Sequence, residues 1–166
     1  MRVIDETRDW VEKFVLKLNL CPFAHQPYRD DRVRFVYIEN FTWWSIEHIH
    51  EEIERLENDE AQTTIIIYPK EGALQDFETY LEFVNNIENV LHNLQLDFAY
   101  RIATFHPRYE FDKTEYDDPA NRTNRSPYPM VHLIRVSDID EAIKKHPDTK
   151  QIPLRNIELM RTIDWG

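Results

Sequence analysis

The sequence predicts an α/β or α+β sandwich, a single domain over 1–166 built around a sheet of about four strands with about five helices. Three observations predict it. Four short runs rich in β-branched and aromatic residues recur along the chain, segments of helical period stand between them, and 166 residues suffice for one core. Hydrophobic residues make up 42% and aromatics 13%, which separates this chain from disordered ones despite 31% charged residues. A ferredoxin-like sheet is one arrangement that fits; strand order does not follow from the pattern.

Trp10, Val11, Phe14, Val15 and Leu18 recur at helical spacing, so a first amphipathic helix runs to about Leu18. It ends before Cys21-Pro22, because a proline disfavours helical geometry in the residue before it. "VRFVYIE" at 33–39 reads as a strand. Thr42 is a fitting N-cap for a helix with Ile46, Ile49, Ile53 and Leu56 on one stripe and glutamates opposite. "TTIIIYP" at 63–69 is a buried strand stopped by Pro69. The next helix spans about Leu74 to Leu94, with Phe77, Leu81, Val84, Ile87 and Leu91 inward. "FAYRIATF" at 98–105 and "PMVHLIRV" at 129–136 are the last two strands. Ser137 and Asp140 have capping-box spacing for a helix to about Lys145, and Pro153 suits the first turn of a final one.

The connection from His106 to Tyr128 is long for a compact domain, and such loops are usually functional or disordered. It holds Tyr109, Phe111, Tyr116 and Tyr128 with three prolines, a composition for an ordered, packed loop.

Charge and composition exclude several functions. A formal net charge of −11 repels a nucleic-acid backbone, so no nucleic-acid partner is expected. With two glycines, Gly72 and Gly166, no Gly-rich phosphate loop or dinucleotide fingerprint can be built. No apolar run approaches the roughly 20 residues that cross a bilayer, and "MRVIDETRDWVEKF" lacks the apolar core of a leader, so no membrane partner and a cytoplasmic address are expected. Cys21 is the one cysteine, which rules out an intrachain disulfide.

Against this acidic background, "ANRTNRSPYPMVHLIRV" at 120–136 gathers three arginines and a histidine. We expect it to wall a site for an anionic small molecule. Arginine on an apolar strand needs a partner, because an unpaired buried charge costs several kcal/mol. That partner is either one of the chain's 31 acidic residues or a ligand carboxylate or phosphate held by the guanidinium fork. Arg125 and Arg135 are the expected anchors and Arg101 a third; Ala99 and Ala103 on its strand face leave space for a ligand or for a closely packed helix. His106, where a strand opens into the loop, is the candidate acid/base group, the alternative for it and for His132 being a structural histidine bonded to a backbone carbonyl. Tyr128, Asn124, Ser126 and His132 would supply orienting hydrogen bonds, Tyr128 also standing among the catalytic candidates. Cys21 is a buried small side chain or, if cations lower its pKa, a nucleophile. Two rivals stand beside this expectation. One is a non-catalytic module binding an acidic partner segment; the other is a metal enzyme using His106, His132 and Asp117 or Asp118, without local ligand spacing to support it.

Four segments, "LNLCPFA" (18–24), "ATFHPRYEF" (103–111), "TNRSPYPMVHLIR" (123–135) and "IPLRNIELMR" (152–161), resemble an uncharacterised bacterial domain-of-unknown-function family across nearly the whole chain. The resemblance implies a bacterial protein whose signature includes Cys21, His106, Arg125, Tyr128, His132, Arg135, Arg155 and Asn156. It carries no activity and no cofactor. This chain has Arg122 after Asn121 where the family pattern suggests tyrosine.

Overall fold

Alternation of the strand residues dictates a sheet with two apolar faces, and both are covered. The computed structural model describes residues 2–145 and 148–165. Its strands are β1 (Val33–Tyr37), β2 (Thr63–Ile67), β3 (Tyr100–Phe105) and β4 (Met130–Arg135). They are ordered β1-β2-β4-β3, with β1 and β2 parallel and β4 antiparallel to both neighbours. The chain order strand-helix-strand-helix-strand-strand, with a parallel first pair, is not the ferredoxin-like arrangement.

The α-helices are α1 (Arg2–Trp10), α2 (His25–Arg29), α3 (Glu47–Asn58), α4 (Phe77–Asn93), α5 (Val136–Lys145) and α6 (Ile152–Thr162). Helix α2 escapes sequence reading because five residues carrying Pro27 show no apolar period. Helix α3 follows a short 3-10 turn, Trp43–Ile46, where Ser45 Oγ accepts from the Thr42 N–H at 3.0 Å. Helix α4 starts at Phe77 and not Leu74, since Asp76 caps it by accepting from the Thr79 N–H at 2.9 Å. Helix α5 continues directly from β4, one residue ahead of the expected Ser137 box.

Register assigns the faces. His132 stands opposite Ile65 and Ala103, and Met130 opposite Ile67 and Phe105, so these share one face. The α1 segment packs there through Val11, with Phe35, Ile65, Ile67 and Met130. The other face, with Ile66, Val131, Leu133 and Tyr100, packs against α3 and α4 through Ile49, Ile53, Phe83 and Ile87.

Helix α1 continues into a π-helical segment, Val11–Leu16. It stops in a Schellman motif: Asn19 takes the left-handed conformation at φ 51°, its N–H reaching Leu16 O at 2.9 Å and the Leu20 N–H reaching Val15 O at 2.9 Å. Asparagine tolerates that conformation better than most side chains, which is why the turn into Cys21-Pro22 forms here. Among the described residues, no helix is long and apolar enough to cross a membrane.

Candidate functional site

The expected arginine site is not assembled. Arg135 projects to the face opposite His132 and donates to Ala61 O (3.2 Å), Gln62 O (3.0 Å) and Leu56 O, closing the C-terminal end of α3, with Asp138 3.7 Å away. Arg125 donates to Tyr109 O (3.1 Å) and Tyr116 O and lies 4.6 Å over the Tyr116 ring. Arg101 is exposed on an edge strand and turns back to Tyr100 O. Backbone carbonyls take up these guanidinium donors.

The loop's other candidates also serve the loop. Asn124 donates to Thr104 O (3.0 Å) and Ser126 Oγ to Tyr128 O (2.6 Å). Tyr128 donates its hydroxyl to Glu6, which pushes the phenol up to about 12. His106 is fully buried between Phe77 and Tyr80. Its Nε2–H donates to Leu74 O (2.8 Å) and its Nδ1 accepts from the Arg108 N–H (3.0 Å). Both nitrogens are engaged and burial lowers its pKa, so this histidine has neither a free lone pair nor a free proton to use. Asp118 caps the 3-10 turn Pro119–Asn124 and pairs with Arg161 at 2.6 Å. His106 and His132 lie on opposite sides of the sheet, and no metal-binding group of three is found among the described residues.

The loop is ordered through Asn121, which sequence reading passed over. Fully buried, it accepts from the Phe111 N–H (2.9 Å) and the Thr114 hydroxyl (2.8 Å) and donates to Glu115 O and Tyr116 O. A hollow between this loop and α6 touches Phe111, Thr123 and Asn124 but none of the loop arginines.

A different hollow lies on the sheet face beneath the α1 segment. It has a volume of about 370 Å³ and an apolar wall, with Ile65, Ala103, Phe105 and Met130 as its floor. Trp10, Val11 and Val15 form one side; Cys21, Phe23 and Tyr28 another; Ile139 and Ala142 of α5 a third. The alanine leaves the room that the sequence pattern anticipated beside Arg101, and the π segment supplies the opposing wall. Segments of this kind occur frequently at functional sites.

Two candidates from the sequence, Cys21 and His132, meet this cavity. The Cys21 thiol is pushed up by burial, against the weaker opposing pull of the Phe23 and Ala24 backbone N–H groups, so it remains a protonated thiol near neutral pH. Its turn is clamped from α6: Asn156 Nδ2 donates to Leu20 O (2.7 Å) and Arg155 to Asn19 O, while His25 and Asn19 side chains meet at 3.0 Å.

His132 is the polar group of the floor. Thr63 Oγ1 donates to Leu133 O at 2.6 Å, so its lone pair faces the imidazole and His132 Nε2–H donates to it at 2.6 Å. That fixes the tautomer and leaves Nδ1 a bare acceptor with no hydrogen-bond partner among the described residues. Burial lowers this imidazole to about 4, so it is neutral at physiological pH. Thr63 was not singled out from sequence; its place opposite Ile134, next to the His132 pair, is set by strand register alone.

A family model described as "Protein of unknown function (DUF1415)" matches residues 2–165. No curated protein and no solved structure matches the chain.

Proposed function

The chain belongs to that family of unknown function, and we propose that it binds a small molecule in the cavity between the sheet and the α1 segment, as a cytoplasmic small-molecule enzyme or binding protein. The single observation that carries this reading is an apolar hollow of about 370 Å³ with a neutral histidine in its floor. Ligand pockets of this size are typically apolar with a few placed polar groups, and here those are His132, Thr63 and Cys21. The reading keeps the small-molecule half of the sequence expectation and moves the site from the arginine loop to the sheet face. His132 Nδ1 is the acceptor that the cavity floor offers such a ligand, whereas His106 lies on the other side of the sheet with both nitrogens engaged.

The test fills the hollow. Ala103→Phe replaces the smallest floor residue with a ring. It should leave the protein folded and abolish binding of apolar aromatic probes, followed by NMR shifts of the Ile65, Met130 and Ile134 methyl groups. Probes that leave those methyls unmoved in the wild type, or bind the variant equally well, would overturn the reading. A second arm titrates phosphorylated and carboxylated metabolites. Binding there that disappears in Arg125→Ala would return the site to the loop.

A further inference from the structure

The hydrogen bonds around His132 restrict what the cavity can hold. Resting on the small-molecule reading above, we propose that the buried end of the ligand is a neutral hydrogen-bond donor, a hydroxyl or N–H on an otherwise apolar body, presented to His132 Nδ1. Thr63 fixes which nitrogen of His132 is free to accept. A threonine hydroxyl has one hydrogen, and here it is given to Leu133 O. At 2.6 Å from Nε2, the same oxygen can only accept, so the imidazole proton resides on Nε2. The remaining nitrogen offers a lone pair. His132 lines the cavity and is not fully buried, so its open surface faces that space.

A carboxylate or phosphate is acceptor-only and would meet this lone pair with no donor between them. Nor does the wall offer a cation at that depth. Arg29 and Lys145 border the cavity but are exposed, and the half-buried charge of the wall is Asp138, itself beside Arg135 at 3.7 Å. A buried anion would be left unpaired, which is strongly unfavourable in an apolar site. A donor instead satisfies an acceptor that the protein leaves open, and a site built to bond a donor rejects an analogue that lacks it.

Three matched probes separate the possibilities: naphthalene, 2-naphthol and 2-naphthoate, titrated by calorimetry against the intact protein. We expect 2-naphthol to bind roughly three- to tenfold tighter than naphthalene, as one net hydrogen bond implies, and 2-naphthoate weakest. His132→Phe should reduce naphthol to the affinity of naphthalene while naphthalene itself still binds. Thr63→Val should shrink the naphthol advantage by releasing the tautomer. Naphthalene binding with naphthol no tighter, or naphthoate tightest, overturns this inference and leaves the cavity reading standing. Failure of naphthalene and naphthol alike overturns both. A ligand-free measurement guards against loss of folding in the variants: ¹⁵N NMR of the wild-type imidazole should show the proton on Nε2, and a proton on Nδ1 would overturn the inference directly.

Discussion

Arg135 shows how a residue can look like a binding anchor and be something else. It sits in an apolar strand, where a guanidinium must have a partner. The partners are the Leu56, Ala61 and Gln62 carbonyls, where α3 ends and the chain turns into β2. Replacing Arg135 with alanine therefore strips donors from three acceptors and the counter-charge from Asp138. We expect Arg135→Ala to destabilise the fold by about 2–4 kcal/mol, and Arg135→Lys to recover only part, because an ammonium cannot reproduce the fork. Urea unfolding measures both. An alanine variant as stable as wild type would mean these bonds contribute nothing, as a residue reserved for a ligand would behave. This role was illegible in the sequence for a simple reason. A carboxylate partner announces itself as a residue type, whereas a backbone carbonyl is present at every position and leaves no mark. Arg125 and Asn124 eluded sequence reading in the same way, whereas a carbonyl-bonded structural histidine was the alternative already weighed for His106.

At the scale of elements, the strands were legible because alternation and β-branched runs are local properties. Of the two alanines read as leaving space beside Arg101, Ala103 lies in the cavity floor, whereas Ala99 packs with the core on the other face. What closes that room was legible only in part: the Val11–Leu16 segment follows the apolar spacing that predicts the first helix, but its π geometry and the short α2 left no mark in the sequence. The same is true of the tie between α6 and the Cys21 turn, residues 136 apart in sequence that meet through Asn156 and Leu20 O. That tie makes a prediction. Asn156→Ala removes a buried donor from a carbonyl at the turn, at a cost of about 1–2 kcal/mol. Much of the loss should appear locally, as easier opening of the Cys21 turn. Cys21 is the one thiol of the chain, so its alkylation by iodoacetamide reports that opening without ambiguity. The wild type should react slowly, as a half-buried protonated thiol does, and the variant several-fold faster. Equal rates would mean that the clamp does not hold the turn.

For the whole molecule, two neutral histidines, His106 fully buried and His132 half-buried in the cavity floor, couple folding to acidity. His132 falls from 6.5 to about 4 through burial, and His106 is lowered chiefly by burial as well. Both are held neutral in the native state while the unfolded chain protonates them near their ordinary value. Between the unfolded and folded pKa the unfolded state binds more protons, so stability must rise with pH across that interval. The contribution is complete above about pH 6.5 and is lost as pH falls toward 4. For His132 alone the interval corresponds to about 3 kcal/mol as an upper bound, at about 1.4 kcal/mol for each pH unit. Carboxylates add their own acid dependence, and those held low by hydrogen bonds, such as Asp118 and Asp76, lose stability at still lower pH. Desolvation alone lowers His132; the titratable groups that share its cavity are Cys21, His25, Tyr28, Arg29, Asp138, Glu141 and Lys145, and the Cys21 thiol stays protonated throughout this range. The separation comes from comparison. In urea unfolding between pH 7 and 4.5, wild type should lose stability more steeply than His132→Phe, by up to about 2–3 kcal/mol over the range. A ligand that donates to Nδ1 should steepen the wild-type slope further, because protonating that nitrogen removes the acceptor the ligand uses. Parallel curves for the two proteins would mean that His132 is open to solvent and titrates normally, and the dry floor on which the donor-selective cavity depends would be lost with it.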